Sequence, residues 1–297
     1  KEDLGGPGVA LASGLIRNPA DSDQDALDQI RDYLSYMPSS AWSWPPQEVG
    51  PDTGPRPTPD LETLVPRDGR RAYDVGPVIS ELVDGGEWFE VQPRFGPSIV
   101  CALARLGGHP VAVVANQPTV LAGAVDAAAA DKAAHFITVA DSFHLPLLFV
   151  TDNPGMLPGS TSERQGVLRS GGRMFAAEAL ATTPKINLTL RKAYGFGSMV
   201  MAMISHDGQA GIFAFPGTTL GAMGADAMSR ALGAGEDRAA ALRQAELEAS
   251  YRSAERLGFD EMIEPAEARD TVLGALTRAL MRRQVPPQPV LRVAINP

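Results

Sequence analysis

The stretch PKINLTLRKAYGFGSMVMAMI, residues 184–204, decides how this chain folds. It opens with an apolar strand pattern from Ile186 to Leu190, and two glycines, Gly195 and Gly197, follow the strand. Because glycine frees the backbone for a tight turn, the stretch predicts a strand, a turn and an apolar helix from Ser198 to Ile204. The first amides of such a helix lack an acceptor within it, and the helix dipole adds positive potential. The turn therefore predicts a pair of N–H donors for an oxygen that gains negative charge. A turn with a purely structural role is also compatible with this sequence.

A second loop, DNPGMLPG at residues 152–159, follows the apolar strand pattern of Leu145 to Val150. Ligands of α/β proteins gather at the carboxyl ends of strands, so this loop is expected to border the same site. Taken alone, it fits a rigid surface turn equally well. Behind it, Ser160 and Glu163 have capping-box spacing and predict a helix that runs to about Ala181.

The rest of the chain alternates strand and helix patterns. The predicted strands are Trp88–Val91, Ile99–Leu106, Val111–Asn116 and Ile212–Phe215, and the predicted helices are Val78–Val83, one capped by Asp126, Glu236–Leu257 and Pro265–Arg282. Such alternation with short connections predicts an α/β layer with right-handed crossovers. Periodicity alone does not separate a doubly wound sheet from a crotonase-type spiral.

The first 65 residues differ from the rest in pattern. A helix is predicted before residue 40, with Leu27, Ile30 and Leu34 on one side together with Tyr33 and Met37. Six prolines lie between residues 45 and 59, which excludes regular structure there and leaves an ordered strap or a disordered hinge. We therefore divide the chain at residue 65, into 1–65 and 66–297.

Composition excludes several classes of function. The net charge is −9 and the basic residues are dispersed, which argues against a nucleic-acid partner. No apolar run is long enough for a transmembrane helix. The single cysteine, Cys101, lies in an apolar run and is expected in the core, as in proteins of a reducing, cytoplasmic compartment. The four histidines show no metal-ligand spacing, so no metal site is expected.

Several segments, taken in order, resemble one known family. FEVQPRFGPSIVCALARLGGHPVAVVANQP at 89–118, DNPGMLPG at 152–159 and PKINLTLRKAYG at 184–195 resemble the C-terminal half of carboxyltransferase β subunits of biotin-dependent acyl-CoA carboxylases. KEDLGG at residues 1–6 resembles the tail of their N-terminal half. The resemblance implies a crotonase-like α/β fold, a ββα spiral.

The resemblance also assigns roles to residues. In the usual AYGGA motif the last two amides form the oxyanion hole for biotin, which places that hole at the backbone of Phe196 and Gly197. The position two residues further, Met199, lines the acyl pocket and indicates an apolar acyl group. The other residues expected beside biotin or the acyl-CoA are Asn153, Pro154, Gly155, Gly171, Gly172, Tyr194 and Gly195. Since alanine is usual at the position of Gly197 and keeps the amide, a Gly197→Ala change is expected to be milder than Gly197→Pro, which removes one N–H.

The implied chemistry is transfer of a carboxyl group from carboxybiotin, held on a carrier protein, to the α-carbon of a short acyl-CoA. The implied partners are the N-terminal half of the carboxyltransferase and a biotin carboxyl carrier or biotin carboxylase subunit, in a hexamer described as a trimer of dimers. The N-terminal half is absent from this sequence, so a separate subunit or a missing part of the chain must supply it. Two alternatives stay open: a biotin-dependent acyl-CoA decarboxylase subunit, and a non-catalytic scaffold suggested by the unusual Phe196.

Overall fold

The computed structural model describes residues 5–204, 206–256, 258–283 and 287–290. Residues 1–4 of the KEDLGG segment, Leu257 at the end of a predicted helix and the last seven residues of the predicted second region lie outside these ranges. The helices are α1 (Gly6–Ala12), α2 (Asp23–Ser35), α3 (Leu61–Leu64), α4 (Gly76–Leu82), α5 (Ala127–Ser142), α6 (Ser160–Arg164), α7 (Val167–Leu180), α8 (Gly195–Met199), α9 (Ala225–Ala231), α10 (Glu236–Leu247), α11 (Ala249–Glu255) and α12 (Ala268–Leu280). The strands are β1 (Trp88–Val91), β2 (Ile99–Leu106), β3 (His109–Asn116), β4 (Leu147–Asn153), β5 (Lys185–Tyr194), β6 (Gln209–Ala214), β7 (Thr219–Gly221) and β8 (Glu261–Met262).

The strands form one mixed sheet. Within the described residues the order is β1-β2-β3-β4-β5-β6-β8, and β7 pairs with the far end of β5. β1, β2 and β3 are antiparallel neighbours, whereas every pair from β3 to β8 is parallel. The carboxyl ends of β3, β4 and β5 therefore meet at one edge, where their following loops lie together.

Helices cover both faces of the sheet. On β2, Ile99 and Leu103 pack with α5 and α7 on one face, while Val100 and Ala102 pack with α4 and α12 on the other. Alternate strand side chains point to opposite faces, so burial on both faces requires the continuous apolar run that β2 carries. Cys101 is fully buried in the first of these layers, as predicted, and burial raises the pKa of its thiol to about 12.

The proline-rich segment is an ordered strap. Arg269, fully buried in α12, donates to the carbonyl oxygen of Asp52 at 2.6 Å. The Thr58 hydroxyl donates to the carbonyl oxygen of Pro265 at 2.7 Å. Of the two possibilities left by the sequence, the ordered one is therefore confirmed. The strap is tied to α12 on the face opposite α5, and the division at residue 65 stays a prediction.

Helix α2 leaves part of its apolar side uncovered. Leu27, Ile30 and Leu34 are 48%, 54% and 57% exposed, whereas Tyr36 and Met37 just beyond the helix are buried. A cavity of about 420 Å³ lies between α2, β1 and α5 beside these side chains.

Three predicted helices differ from the observed ones. Within the described residues, the predicted helix Glu236–Leu257 is two helices, α10 and α11, which meet at Glu248. The predicted helix from Ser160 to Ala181 is two helices, because Gly166 adopts a φ of 81° between them. No side chain caps α6: its N-cap is Gly159, so the capping-box prediction is wrong. The helix predicted at Ser198–Ile204 is α8, which begins three residues earlier at Gly195 and ends at Met199. No helix within the described ranges is long and apolar enough to cross a membrane.

Candidate functional site

The glycine turn after β5 is a strand-to-helix junction. β5 ends at Tyr194, and α8 begins at Gly195 with a φ of 53°, in the left-handed region that favours glycine. A side chain at Gly195 would also meet the carbonyl oxygen of Ala222 at 2.8 Å. The N–H groups of Phe196 and Gly197 belong to the first turn of α8, where an α-helix offers no acceptor. Within the described ranges, no side chain or loop carbonyl accepts from these two amides.

The loop after β4 packs directly against this turn. The Gly155 N–H donates to Asn153 Oδ1 at 3.0 Å, and the Gly155 carbonyl accepts from the Val125 amide at 3.1 Å. A Cβ on Gly197 would lie 2.5 Å from Asn153 Oδ1 and 2.6 Å from Gly155 Cα. Backbone meets backbone here, and no rotamer change relieves such a contact. An alanine at Gly197 therefore requires a shift of the backbone, and the expectation that it is milder than proline stays a prediction.

The bulky ring of Phe196 is accommodated by α7. It packs edge to face on Phe175 with ring centroids 5.9 Å apart. It also lies over Gly171, where an added Cβ would be 3.0 Å from Phe196 Cε1 and 2.7 Å from Met156 Cε. Gly171 is thus the place where α7, the loop after β4 and the turn approach one another. The side chain is packed against α7, and no described residue accepts from the amide of Phe196.

A buried ionic cluster underlies the loop after β4. Asp152 Oδ2 accepts from Arg191 Nε at 2.7 Å and from the Tyr73 hydroxyl at 2.9 Å. Arg191 also donates to three carbonyl oxygens between residues 66 and 71. Burial raises the pKa of the Tyr73 hydroxyl and lowers that of the Lys192 ammonium, which lies 3.8 Å from Asp152 Oδ1. The cluster ties residues 66–73 to the carboxyl ends of β4 and β5.

Tyr194 fastens the helices that follow β7. Its hydroxyl donates to Glu246 Oε1 at 2.5 Å and lies 2.8 Å from Thr219 Oγ1. The same Glu246 oxygen accepts from the Ala225 amide at 2.9 Å. Burial raises the pKa of the Tyr194 hydroxyl. The phenol therefore connects the end of β5 to α9 and α10.

A second buried carboxylate lies behind α7. Glu178 Oε1 is 3.6 Å from Lys185 Nζ, and both side chains are fully buried. His206 Nε2 lies 3.8 Å from the other Glu178 oxygen, and its ring packs on Phe175 with centroids 5.5 Å apart. Burial raises the pKa of the Glu178 carboxyl to about 7.

The structure brings most of the predicted site residues together. Those in contact around the turn are Asn153, Gly155, Gly171, Tyr194, Gly195, Phe196 and Gly197. Pro154 and Gly172 are exposed next to this group, and Met199 is half-buried at the last position of α8. The Asn153 side chain is fully buried with its amide groups bonded inside the protein, so it supports the loop.

Sequence reasoning missed four residues that shape this site. They are Asn116, Met156, Phe175 and Asp152, whose carboxylate forms the buried ion pair with Arg191. Asn116 and Asp152 are polar residues at the ends of apolar strands, and that position is the signal by which they are recognisable. Met156 and Phe175 carry no such signal, because their role depends on contacts between distant segments.

Comparison with known proteins identifies the family. Residues 1–289 match the carboxyl transferase domain family. The chain is 36% identical to the methylmalonyl-CoA carboxyltransferase 12S subunit of Propionibacterium freudenreichii subsp. shermanii, over 96% of this chain and 56% of that one. It is 38% identical to the methylmalonyl-CoA decarboxylase subunit alpha of Veillonella parvula, over 95% of this chain and 56% of that one.

A solved structure agrees with these sequence relatives. The crystal structure of transcarboxylase 12S, described as a hexamer assembly with methylmalonyl-coenzyme A and methylmalonic acid bound, superposes with a TM-score of 0.89 at 34% identity. The match covers 99% of this chain and 58% of that one, so this chain spans a little over half the length of its relatives. The chain therefore belongs to the carboxyl transferase domain family and has the crotonase-like α/β fold that its motifs predicted.

Proposed function

We propose that this chain supplies the biotin-binding half of a biotin-dependent acyl-CoA carboxyltransferase, which moves a carboxyl group from carboxybiotin to the α-carbon of a short acyl-CoA. One observation carries the proposal: the first-turn amides of Phe196 and Gly197 have no acceptor within the described chain, and Gly197 packs closely on Gly155. Preorganised amides of this kind stabilise an oxygen that gains negative charge in the transition state.

The residues present fit the ureido carbonyl of biotin. When bound on its carrier, carboxybiotin supplies the carboxyl group. The Phe196 and Gly197 amides would hold the ureido oxygen, and the loop at Gly155 limits how far the turn moves. Because the donors belong to the backbone, stabilising the charge on the ureido oxygen needs no acidic or basic side chain.

The site requires a second half. This chain spans a little over half the length of its relatives, and the side of α2 that carries Leu27, Ile30 and Leu34 is uncovered. Under the proposal, the N-terminal half of a carboxyltransferase, as a separate subunit or as the preceding part of a longer chain, covers this side and binds most of the CoA. The remaining partners are a biotin carboxyl carrier and a biotin carboxylase subunit, in a cytoplasmic hexamer of the trimer-of-dimers kind.

Two observations bear on the substrate and on the direction of transfer. Met199 at the end of α8 favours an apolar acyl group, and two relatives carry methylmalonyl-CoA in their names. The Veillonella relative is named a decarboxylase subunit, so transfer from the acyl-CoA to biotin is the second candidate function. Phe196 gives no reason to prefer a scaffold, since its ring packs on α7 and its amide has no acceptor in the described part of the chain.

Titration of the ¹⁵N-labelled chain with biotin methyl ester tests the proposal. The Gly155, Phe196 and Gly197 amide resonances are expected to shift together, with the two α8 amides moving most. Co-expression with the N-terminal half should then give carboxyl transfer between biotin methyl ester and methylmalonyl-CoA. A shift pattern confined to another face of the sheet, together with no transfer by the co-expressed pair, would refute the proposal.

A further inference from the structure

Two fully buried asparagines connect the ends of neighbouring strands to the turn at α8. Asn153, the last residue of β4, donates from Nδ2 to the Gly197 carbonyl at 3.3 Å and to Asn116 Oδ1 at 3.2 Å. Its Oδ1 accepts from the Gly155 amide at 3.0 Å. Because Gly155 N–H only donates and the Gly197 carbonyl only accepts, these partners determine which end of the amide faces which loop.

Asn116, the last residue of β3, orients Asn153. Its Oδ1 also accepts from the Asp152 amide at 3.1 Å, and its Nδ2 donates to the Gly123 carbonyl at 3.3 Å. A Cβ on Gly123 would lie 2.3 Å from the Asp152 carbonyl oxygen, so these two segments cross in close contact. The pair therefore joins the ends of β3 and β4, the segment at Gly123 and the turn at Gly197.

We infer that Asn153, oriented by Asn116, is the positioning residue for the Phe196–Gly197 amides. The inference rests on the proposed function, because it assigns to this network the alignment of the biotin hole. Gly197 is held on two sides, by the bond from Asn153 to its carbonyl and by the backbone of Gly155. A satisfied buried polar network of this kind is rigid, since any displacement leaves a desolvated group unpaired. The bond to the Gly197 carbonyl fixes the peptide that follows Gly197, and the Gly155 backbone restricts Gly197 itself, so the position of the Gly197 N–H depends on a side chain of another strand.

The Asn153→Asp variant isolates this role. It keeps the side-chain volume and the acceptor for the Gly155 amide, and it replaces the donor to Gly197 with an oxygen. In the co-expressed enzyme, kcat is expected to fall about 10²-fold, as for a displacement of about 1 Å at a reacting centre. The KM for the acyl-CoA is expected to stay within roughly threefold, because the other half binds most of the CoA.

Its pH profile distinguishes positioning from general damage. A protonated carboxyl regains one O–H donor, so the ratio of the variant's kcat to the parental kcat is expected to rise as the pH falls from 8 to 6. Asn116→Asp keeps the acceptor for Asn153 and should retain more activity than Asn116→Leu. Thr58→Val, which removes a buried hydrogen bond to Pro265 at the strap, is the matched control and should keep the parental kcat.

Parental kcat in Asn153→Asp would overturn the inference, as would equal losses in Asn153→Asp and Thr58→Val. A pH-independent loss accompanied by a parallel rise in the acyl-CoA KM would overturn it as well. If the parental enzyme transfers no carboxyl group, the proposed function fails, and amide exchange then tests the positioning. Faster exchange of the Phe196 and Gly197 amides in Asn153→Asp, by about tenfold over Thr58→Val, supports the network, and unchanged exchange overturns it.

Discussion

The close contact at Gly197 makes Gly197→Ala the most informative conservative change in the chain. The added methyl would stand 2.6 Å and 2.7 Å from the Cα and carbonyl carbon of Gly155. Ordinary carbon–carbon contacts begin near 3.5 Å, so one of the two backbones must move by about 0.9 Å. Overpacking of this kind costs about 1–3 kcal/mol of folding free energy, and a shift of about 1 Å at a reacting centre costs about 10² in rate.

The assay compares carboxyl transfer and urea unfolding for Gly197→Ala and for Gly50→Ala. Gly50 lies exposed in the strap, and nothing stands within 4 Å of the position of its added Cβ. We expect the first variant to lose about 10²-fold in kcat and about 1–3 kcal/mol in stability, and the second to behave like the parent. If Gly197→Ala keeps parental kcat and stability, the packing of the turn on Gly155 is not as described.

Three further predictions concern buried charge and the acyl pocket. Burial raises the folded-state pKa of the Glu178 carboxyl from 4.5 to about 7, so stability should fall as the pH rises through that window, by up to about 1.4 kcal/mol per pH unit. Glu178→Gln should therefore flatten the dependence of the urea midpoint on pH. The same pH dependence in the variant and the parent would contradict this. Arg191→Met leaves the buried Asp152 carboxylate without its strongest partner and should lower the free energy of unfolding by about 3–5 kcal/mol. Arg31→Met, at an exposed ion pair, should lower it by less than about 1 kcal/mol. Equal urea midpoints for the two variants would contradict this difference. Met199→Asp should lower kcat/KM for short apolar acyl-CoAs by roughly tenfold or more, because it places an unpaired carboxylate beside the acyl group. Unchanged kcat/KM values for these substrates would show that Met199 does not line the pocket.

Local patterns predicted the elements of the fold well. The bounds of β2, Ile99–Leu106, agree with the sequence prediction because a buried strand needs an unbroken apolar run, and Gly107 with Gly108 ends it. The N-cap at Asp126 is confirmed, since its Oδ1 accepts from the Ala129 amide at 3.0 Å. The helix break at Gly166 was not predicted, because a single glycine is compatible with either a continuous or an interrupted helix.

The position of the glycine turn was predictable from the sequence, and the packing around it was not. The glycines of the turn indicate where the amides are unbonded, since that follows from local geometry. The packing depends on contacts between segments that are distant along the chain. These are the contacts of Gly197 with Gly155, of the Phe196 ring with Gly171, and of Asn116 with Asn153. Sequence spacing does not reveal such contacts, so the close packing of Gly197 on Gly155 was not predicted.

The central claim, that the first-turn amides of α8 form the hole for biotin, is tested most directly by comparing Phe196→Pro with Phe196→Ala. Both changes remove the ring from its contact with Phe175, and only proline removes the N–H. Proline is tolerated in the first turn of a helix, so the fold should survive, as circular dichroism can verify. The measurement is the rate of carboxyl transfer between biotin methyl ester and methylmalonyl-CoA in the co-expressed enzyme. The expected result is a rate about 10²–10³-fold lower for Phe196→Pro than for Phe196→Ala, and equal rates in two folded variants would contradict the assignment.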